Sequence, residues 1–222
     1  MPGGAVNRNP TVAYVAPFAL YVGLLALPLP PLIGQTARFA LTLAALALLS
    51  WRVVPWRPSY PVASLAVGLA VFLIWIGPDR LFAYRHYWLF ENPITGKAVS
   101  ALPLALHADP FFLTVRMLTT AALVPVIEEL FWRGWLMRWL VDSRNFEKVP
   151  MGTYRPAAFW LVAVLFAVEH GPYWEVGLLA GIAYNYWIIR TRNLADCILA
   201  HAVTNAALGI YVLVRGEWQY WL

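Results

Sequence analysis

The sequence predicts an all-α, polytopic integral membrane protein, a helix bundle with about seven or eight transmembrane helices. Of its 222 residues, 61% are hydrophobic and only 12% are charged, and the mean hydropathy is +0.63. Soluble globular proteins carry about 25% charged residues. The apolar residues also fall into long runs, close to the length of about 20 that a helix needs to cross a bilayer.

Composition and charge exclude several other classes. The single cysteine, Cys197, has no partner for a disulfide within the chain. The net charge is +5, but no basic run with interleaved aromatic residues is present, so we expect basic loops at a membrane surface and no nucleic-acid partner. We predict one membrane domain over residues 1–222, in which 1–108 form scaffold spans and a polar loop and 109–214 form the helices that carry the polar motifs described below.

Seven apolar runs define the expected spans. The fourth run has 33 residues, or about 50 Å of helix, so we expect it to break near Pro125 or to project beyond the bilayer. Residues 79–109 are the most polar stretch and predict a loop with amphipathic pieces near the surface. The runs are approximately Thr11–Leu29, Thr36–Trp51, Pro61–Gly77, Asp109–Val141, Pro156–His170, Glu175–Ile189 and Leu194–Val214.

The basic residues of the loops favour a cytoplasmic N-terminus. With that orientation the inner segments carry nine Lys or Arg residues and the outer segments five, as the positive-inside rule requires. The first run is long for a signal peptide, and Pro28 and Pro30 replace a cleavage site, so we expect an uncleaved span. The inner set is Arg8, Arg52, Arg57, Arg138, Arg144, Lys148, Arg155, Arg190 and Arg192, and the outer set is Arg38, Arg80, Arg85, Lys97 and Arg215.

Ionisable side chains inside the spans indicate function, because they are costly in a bilayer. The pair Glu128 and Glu129 is followed by Arg133. On a helix, Glu129 and Arg133 are four residues apart and can pair, whereas Glu128 is rotated by about 100° and remains available as a general base. The alternative is an interfacial charge cluster at a helix end. The other ionisable residues expected in the spans are Arg116, Glu169, His170, Asp196 and His201.

Two further polar patterns follow along the chain. Phe166 and His170 end a run of 15 residues, or about 22 Å, so we expect His170 to stop inside the bilayer beside a water-filled cavity. The alternative is a histidine at the interface. His201 and Asn205 are four residues apart on one helical face, and hydrogen bonding between helices is the alternative interpretation there.

Together these patterns resemble the type II CAAX prenyl endopeptidase family, also described as CAAX-protease and bacteriocin-processing or ABI proteins. The family pattern is EExxxR, then FxxxH, then HxxxN or HxxxD, on successive membrane helices. The match covers roughly residues 110 to 214, and the motifs lie about forty and thirty residues apart. The matching residues are Glu128, Glu129, Arg133, Phe166, His170, His201 and Asn205.

The resemblance implies a glutamate-dependent intramembrane endopeptidase that hydrolyses a peptide bond with activated water. The implied partners are membrane lipids and a peptide or protein substrate with a hydrophobic or lipidated C-terminal segment. Some relatives extend the second motif with another histidine, whereas Gly171 follows His170 here, and Glu169 has no role that we can assign. The implied roles are water activation by Glu128 and His170, oxyanion stabilisation by His201 and Asn205, and support by Glu129 and Arg133.

The short length and the opening Tyr14-Val15-Ala16-Pro17-Phe18 resemble a bacterial subgroup associated with exosortase and exopolysaccharide systems. This implies a bacterial inner membrane and makes a prenylated substrate doubtful. Two histidines and two glutamates could ligate zinc, but no HExxH helix exists, so we predict metal-free catalysis with no cofactor. The alternative functions are a transporter or channel with a buried Glu/His relay, for which we find no repeat, and an inactive family member.

Overall fold

The computed structural model describes residues 10–221, and these residues form seven long helices with no strand among them. The predicted all-α bundle is confirmed, and the fourth run does not divide into two helices. Arg8, which contributes to the predicted orientation, lies outside the described residues. The helices are α1 Pro10–Leu25, α2 Pro31–Ser50, α3 Pro61–Phe82, α4 Pro110–Trp139, α5 Pro156–Glu169, α6 Trp174–Thr191 and α7 Leu194–Arg215.

Their lengths and composition are those of an integral membrane protein. Four of the helices (α2, α3, α4 and α7) are long and apolar enough to cross a bilayer. The helices α1 and α5 are equally apolar but shorter, and α6 carries Glu175 in its first turn and Arg190 in its last. The charged residues of α6 lie at its two ends, where a membrane helix meets water.

Proline residues set the beginnings of the first five helices. A proline fits the first helical position because its fixed φ suits a helix and its missing N–H would be unpaired there. The side chain of Asp109 adds a cap for α4 by accepting a hydrogen bond from the Phe112 N–H at 2.9 Å. The initiating residues are Pro10, Pro31, Pro61, Pro110 and Pro156.

The fourth helix continues through Pro125, so the expected break near this residue is absent. α4 has 30 residues, which gives a length of about 45 Å. It absorbs the proline by widening into a π turn at Thr119–Leu123, and a second π turn follows at Leu130–Leu136. Such turns insert an extra residue into a helix without ending it.

Close helix pairs surround the motif residues. A Cβ atom at Gly68 of α3 would lie 2.4 Å from the carbonyl oxygen of Ala200 in α7, and the Thr204 hydroxyl donates to the Gly68 carbonyl at 2.9 Å. A Cβ atom at Gly181 of α6 would lie 3.2 Å from Ala163 of α5. Small residues at these crossings let the backbones approach closely, and this packing holds α5, α6 and α7 around one interior.

Candidate active site

The adjacent residues Glu128 and Glu129 end up in different environments on α4. Glu129 is fully buried, whereas Glu128 retains 7% exposure and lines a cavity. The rotation between neighbouring helical positions therefore separates the two carboxylates, as the sequence predicts.

Glu129 and Arg133 form the expected ion pair. The Nη1 atom of Arg133 donates to Oε1 of Glu129 at 2.8 Å, and both side chains are inaccessible to solvent. Two groups on α6 complete the coordination of the guanidinium. Its Nε donates to Oδ1 of Asn185 at 2.9 Å, and its Nη2 donates to the carbonyl of Gly181 at 3.3 Å. A buried charge needs this full set of partners.

The imidazole of His201 connects the two glutamates. Its Nδ1 lies 2.9 Å from Oε1 of Glu129, and its Nε2 lies 4.0 Å from Oε2 of Glu128. An ionised carboxylate only accepts hydrogen bonds, so Nδ1 carries the hydrogen. The ring is stacked on Tyr184, with centroids 5.0 Å apart. His201 therefore has one fixed orientation, in which Nε2 points toward Glu128.

His170 follows directly after the short helix α5. Its Nδ1 lies 2.6 Å from the carbonyl oxygen of Phe166, which can only accept, so Nδ1 carries the hydrogen and Nε2 is an acceptor. The edge of the Trp75 ring lies against one side, with centroids 5.1 Å apart. A Cβ atom at Gly177 would come within 3.2 Å of the imidazole. Helix α5 is thus short enough, and Gly177 small enough, to place this histidine in the interior.

Asn205 is half-buried one turn after His201 on α7. Its Nδ2 donates to the main-chain carbonyl of Thr120 in α4 at 2.9 Å. A carbonyl only accepts, so the nitrogen of the carboxamide must face Thr120. One Nδ2 hydrogen is used in this contact and the second is left for another acceptor.

One cavity of about 420 Å³ brings the predicted catalytic side chains together. Glu128, His170, His201 and Asn205 all line it, whereas Glu129 and Arg133 lie behind its wall. Helices from the first half of the chain contribute as well, because Tyr21 of α1, Leu25 of α1 and Trp75 of α3 belong to the lining. The division of the chain into scaffold and catalytic parts stays a prediction.

Three other ionisable residues of the spans have different positions. Glu169 also lines the cavity, and its side chain is exposed at the end of α5. Asp196 does not line the cavity and accepts a hydrogen bond from the Tyr60 N–H at the start of α3, at 2.8 Å. Arg116 binds the main-chain carbonyl of Trp221. Asp196 and Arg116 therefore join helices to neighbouring segments.

The predicted surface loop contains a buried residue that the sequence analysis missed. Arg85 is only 6% exposed. Its Nη1 donates to the carbonyl of Pro172 at 2.6 Å and its Nη2 to Glu175 at 2.8 Å. Its Nε lies 3.3 Å from Asp79. This arginine attaches the loop to the turn that follows His170. The one signal for it in the sequence is its position in the most polar stretch of the chain.

The surroundings of Arg85 keep its guanidinium charged. Burial lowers the pKa of Arg85, but the carboxylates of Glu175 and Asp79 outweigh that effect, so the pKa is raised above its usual value. Burial also raises the pKa of Tyr220, as does the hydrogen bond that its hydroxyl donates to Asp79 at 2.6 Å. The cluster thus combines one fixed cation with two carboxylates.

The side chains of the site do not form a metal-binding group. Among residues 10–221, no three His, Cys, Asp or Glu side chains lie close enough together to hold a metal ion. Zinc sites in proteins use three or four such ligands. The donor set therefore does not fit zinc, and metal-free catalysis stays a prediction.

Comparison with known protein families gives a match for the segment that carries the motif residues. Residues 110–207 match the model of the Rce1-like type II CAAX prenyl endopeptidases. The matched segment is therefore similar to that family, and it makes up a little under half of the chain. The resemblance predicted from the three motifs is confirmed, and the matched segment includes every motif residue from Glu128 to Asn205. No curated protein and no solved structure matches the chain.

The match to the type II CAAX prenyl endopeptidase model suggests an intramembrane endopeptidase. The family and the apolar helices together point to an integral membrane protein. The bacterial exosortase-associated subgroup stays a prediction.

Proposed function

We propose that this chain is a glutamate-dependent intramembrane endopeptidase in which Glu128 activates the water that attacks a peptide bond. The observation that carries the proposal is the difference between the two neighbouring glutamates. Oε1 of Glu129 accepts from both Arg133 and His201. Glu128 lines the cavity and Glu129 does not, although Oε2 of each glutamate lacks a hydrogen-bond partner among residues 10–221. A carboxylate at the wall of a cavity can bind and deprotonate water.

His170 assists Glu128 in this proposal. Because its Nδ1 hydrogen is committed to the Phe166 carbonyl, its Nε2 is an acceptor for a hydrogen of the attacking water. Two acceptors on one water orient the oxygen lone pair toward the scissile carbonyl, which is the positioning that general-base catalysis needs.

His201 and Asn205 stabilise the oxyanion. The second Nδ2 hydrogen of Asn205 is a donor to the developing negative charge. His201 donates from Nε2 when both ring nitrogens are protonated, and the Glu129 carboxylate on Nδ1 stabilises that imidazolium. In this scheme Glu129 and Arg133 are positioning residues, because they act through His201 and do not line the cavity.

The proposed substrate is a peptide or protein with a hydrophobic or lipidated C-terminal segment. The lining supports this chemistry, because apolar residues such as Leu25, Trp75 and Leu208 surround the polar groups. We further propose that the protein resides in a bacterial inner membrane with its N-terminus in the cytoplasm.

The test is cleavage of a panel of lipidated and unlipidated peptides by the purified protein in lipid vesicles. We expect the wild-type chain to cleave members of the panel and Glu128→Gln to abolish cleavage while the thermal unfolding midpoint stays within a few degrees. Glu147→Gln is the matched control, because Glu147 is exposed in the loop between α4 and α5. Full cleavage by Glu128→Gln would show that Glu128 is not the base.

A further inference from the structure

The π turn in α4 leaves one carbonyl without a main-chain donor. The N–H of Val124 donates to the carbonyl of Thr119, five residues earlier. In the same register the carbonyl of Thr120 would receive its hydrogen bond from residue 125. That residue is Pro125, which has no N–H. The ring of the proline and the π turn together free the Thr120 carbonyl from the helix.

Asn205 supplies the missing donor. Its Nδ2 lies 2.9 Å from the Thr120 oxygen, although the two residues are 85 positions apart in the chain. In a membrane interior, a carbonyl released by proline is commonly satisfied by a neighbouring helix. The contact also defines the orientation of the carboxamide, since only the nitrogen can face a carbonyl.

This orientation is the one that the proposed oxyanion role requires. With one Nδ2 hydrogen held by Thr120, the carboxamide cannot rotate freely, and its second hydrogen and its oxygen remain for the cavity that Asn205 lines. A donor that is already oriented stabilises a developing charge better than one that must reorganise.

We propose that Pro125 is a positioning residue for Asn205. By withholding an N–H group, it directs the Thr120 carbonyl to Asn205 and so aims the second amide hydrogen at the substrate oxyanion. The inference rests on the proposed function, and it adds a residue whose effect on catalysis is transmitted entirely through Thr120 and Asn205.

The experiment compares two residues of the same shape at position 125 in the full chain. Pro125→Ala restores an N–H that competes for the Thr120 carbonyl, whereas lactic acid at position 125, introduced as an α-hydroxy acid, replaces that N–H with an ester oxygen. We expect Pro125→Ala to lower kcat about tenfold or more, since loss of a whole oxyanion donor costs about 100-fold to 1,000-fold. KM should change by less than about twofold. The lactic acid variant should retain a kcat near the wild-type value.

A double-mutant comparison identifies the path of the effect. In an Asn205→Ala background, Pro125→Ala should lower the residual kcat by less than about twofold, because the donor it disturbs is already gone. Pro17→Ala is the control for removing a proline from inside a helix, since Pro17 lies within α1 and should leave kcat unchanged.

Each result decides the inference. Equal losses in the alanine and lactic acid variants would overturn it, because the proline ring and not the absent N–H would then matter. An equal effect of Pro125→Ala with and without Asn205 would also overturn it. If Pro125→Ala does not fold, the lactic acid variant alone tests the inference. A kcat well below the wild-type value in that variant would then overturn it. Full activity of Asn205→Ala would instead contradict the proposed oxyanion role itself.

Discussion

Nδ1 of His201 lies 2.9 Å from Oε1 of Glu129, the same oxygen that accepts from Arg133 at 2.8 Å. A single carboxylate oxygen therefore joins two of the three sequence motifs across α4 and α7. The contact explains why two consecutive glutamates are present. The carboxylate of Glu129 holds a histidine and an arginine behind the cavity wall, and Glu128 lines the cavity.

The role of Glu129 predicts a loss of stability. Glu129→Gln removes the negative charge beside the buried Arg133, and breaking a buried pair on one side typically costs about 3 kcal/mol. We expect a lower midpoint of thermal unfolding in detergent, measured by circular dichroism, with Glu147→Gln as the exposed control. An unchanged midpoint would mean that Asn185 and Gly181 alone satisfy the arginine.

The crossing of α3 and α7 predicts sensitivity at Gly68. Gly68→Ala places a Cβ atom 2.4 Å from the Ala200 oxygen, so the two backbones must separate. Overpacking of this kind costs about 1–3 kcal/mol, and detergent unfolding should show it.

A second glycine of α3 provides the control for that measurement. A Cβ atom at Gly77 would meet nothing within 4 Å, so Gly77→Ala should leave stability unchanged or raise it slightly. Equal stability of the Gly68→Ala and wild-type proteins would contradict the close crossing.

The contacts of Arg85 predict an effect on catalysis from a residue outside the cavity. Arg85→Met removes the donor to Pro172 and leaves Asp79 and Glu175 without their shared cation. We expect a fall in stability of about 3 kcal/mol, together with a fall in kcat per folded molecule, because the turn after His170 loses its attachment. Peptide cleavage and thermal unfolding on the same samples separate the two effects.

Arg80 is the matched control for Arg85. It pairs with Glu217 at 2.7 Å, but 46% of its side chain is exposed. Exposed pairs are worth about 1 kcal/mol or less, so Arg80→Met should leave both measurements near the wild-type values. A large effect at Arg80 and none at Arg85 would reverse our assignment of the anchoring residue.

The composition of the site predicts catalysis without a metal ion. We expect strong chelators such as EDTA and phenanthroline to leave peptide cleavage unchanged. The proposed base is a carboxylate, and the proposed oxyanion donors are an imidazole and a carboxamide, so none of them needs a metal ion. Loss of cleavage that zinc restores would contradict this prediction.

Much of the fold follows from hydrophobic runs and proline residues. The predicted runs correspond to the seven helices, and α3 and α5 begin at the predicted Pro61 and Pro156. The start of α2 was predicted five residues late, at Thr36, because apolar periodicity does not show that Pro31 can open a helix. Of the two alternatives for the fourth run, the break near Pro125 is absent because a π turn accommodates the ring, and projection beyond the bilayer stays a prediction.

The site was predictable where its residues share a helix or a motif. The spacing of Glu129 and Arg133 is enough to predict their ion pair. The contacts of Arg85 with Pro172 and Glu175, and of Asn185 with Arg133, were not predictable, because the residues of each pair are 52 or more positions apart in the chain. A pattern of local spacing contains no information on which distant carbonyl or carboxylate will lie beside a loop arginine.

The shortness of α5 has a consequence for the surrounding lipid. Its 14 residues span about 21 Å, while the hydrocarbon core of a bilayer is about 30 Å thick. A membrane helix shorter than the hydrocarbon core is accommodated by local thinning of the bilayer. We therefore expect a thinner bilayer beside α5, which would shorten the path of a peptide backbone from water to His170 at the end of this helix.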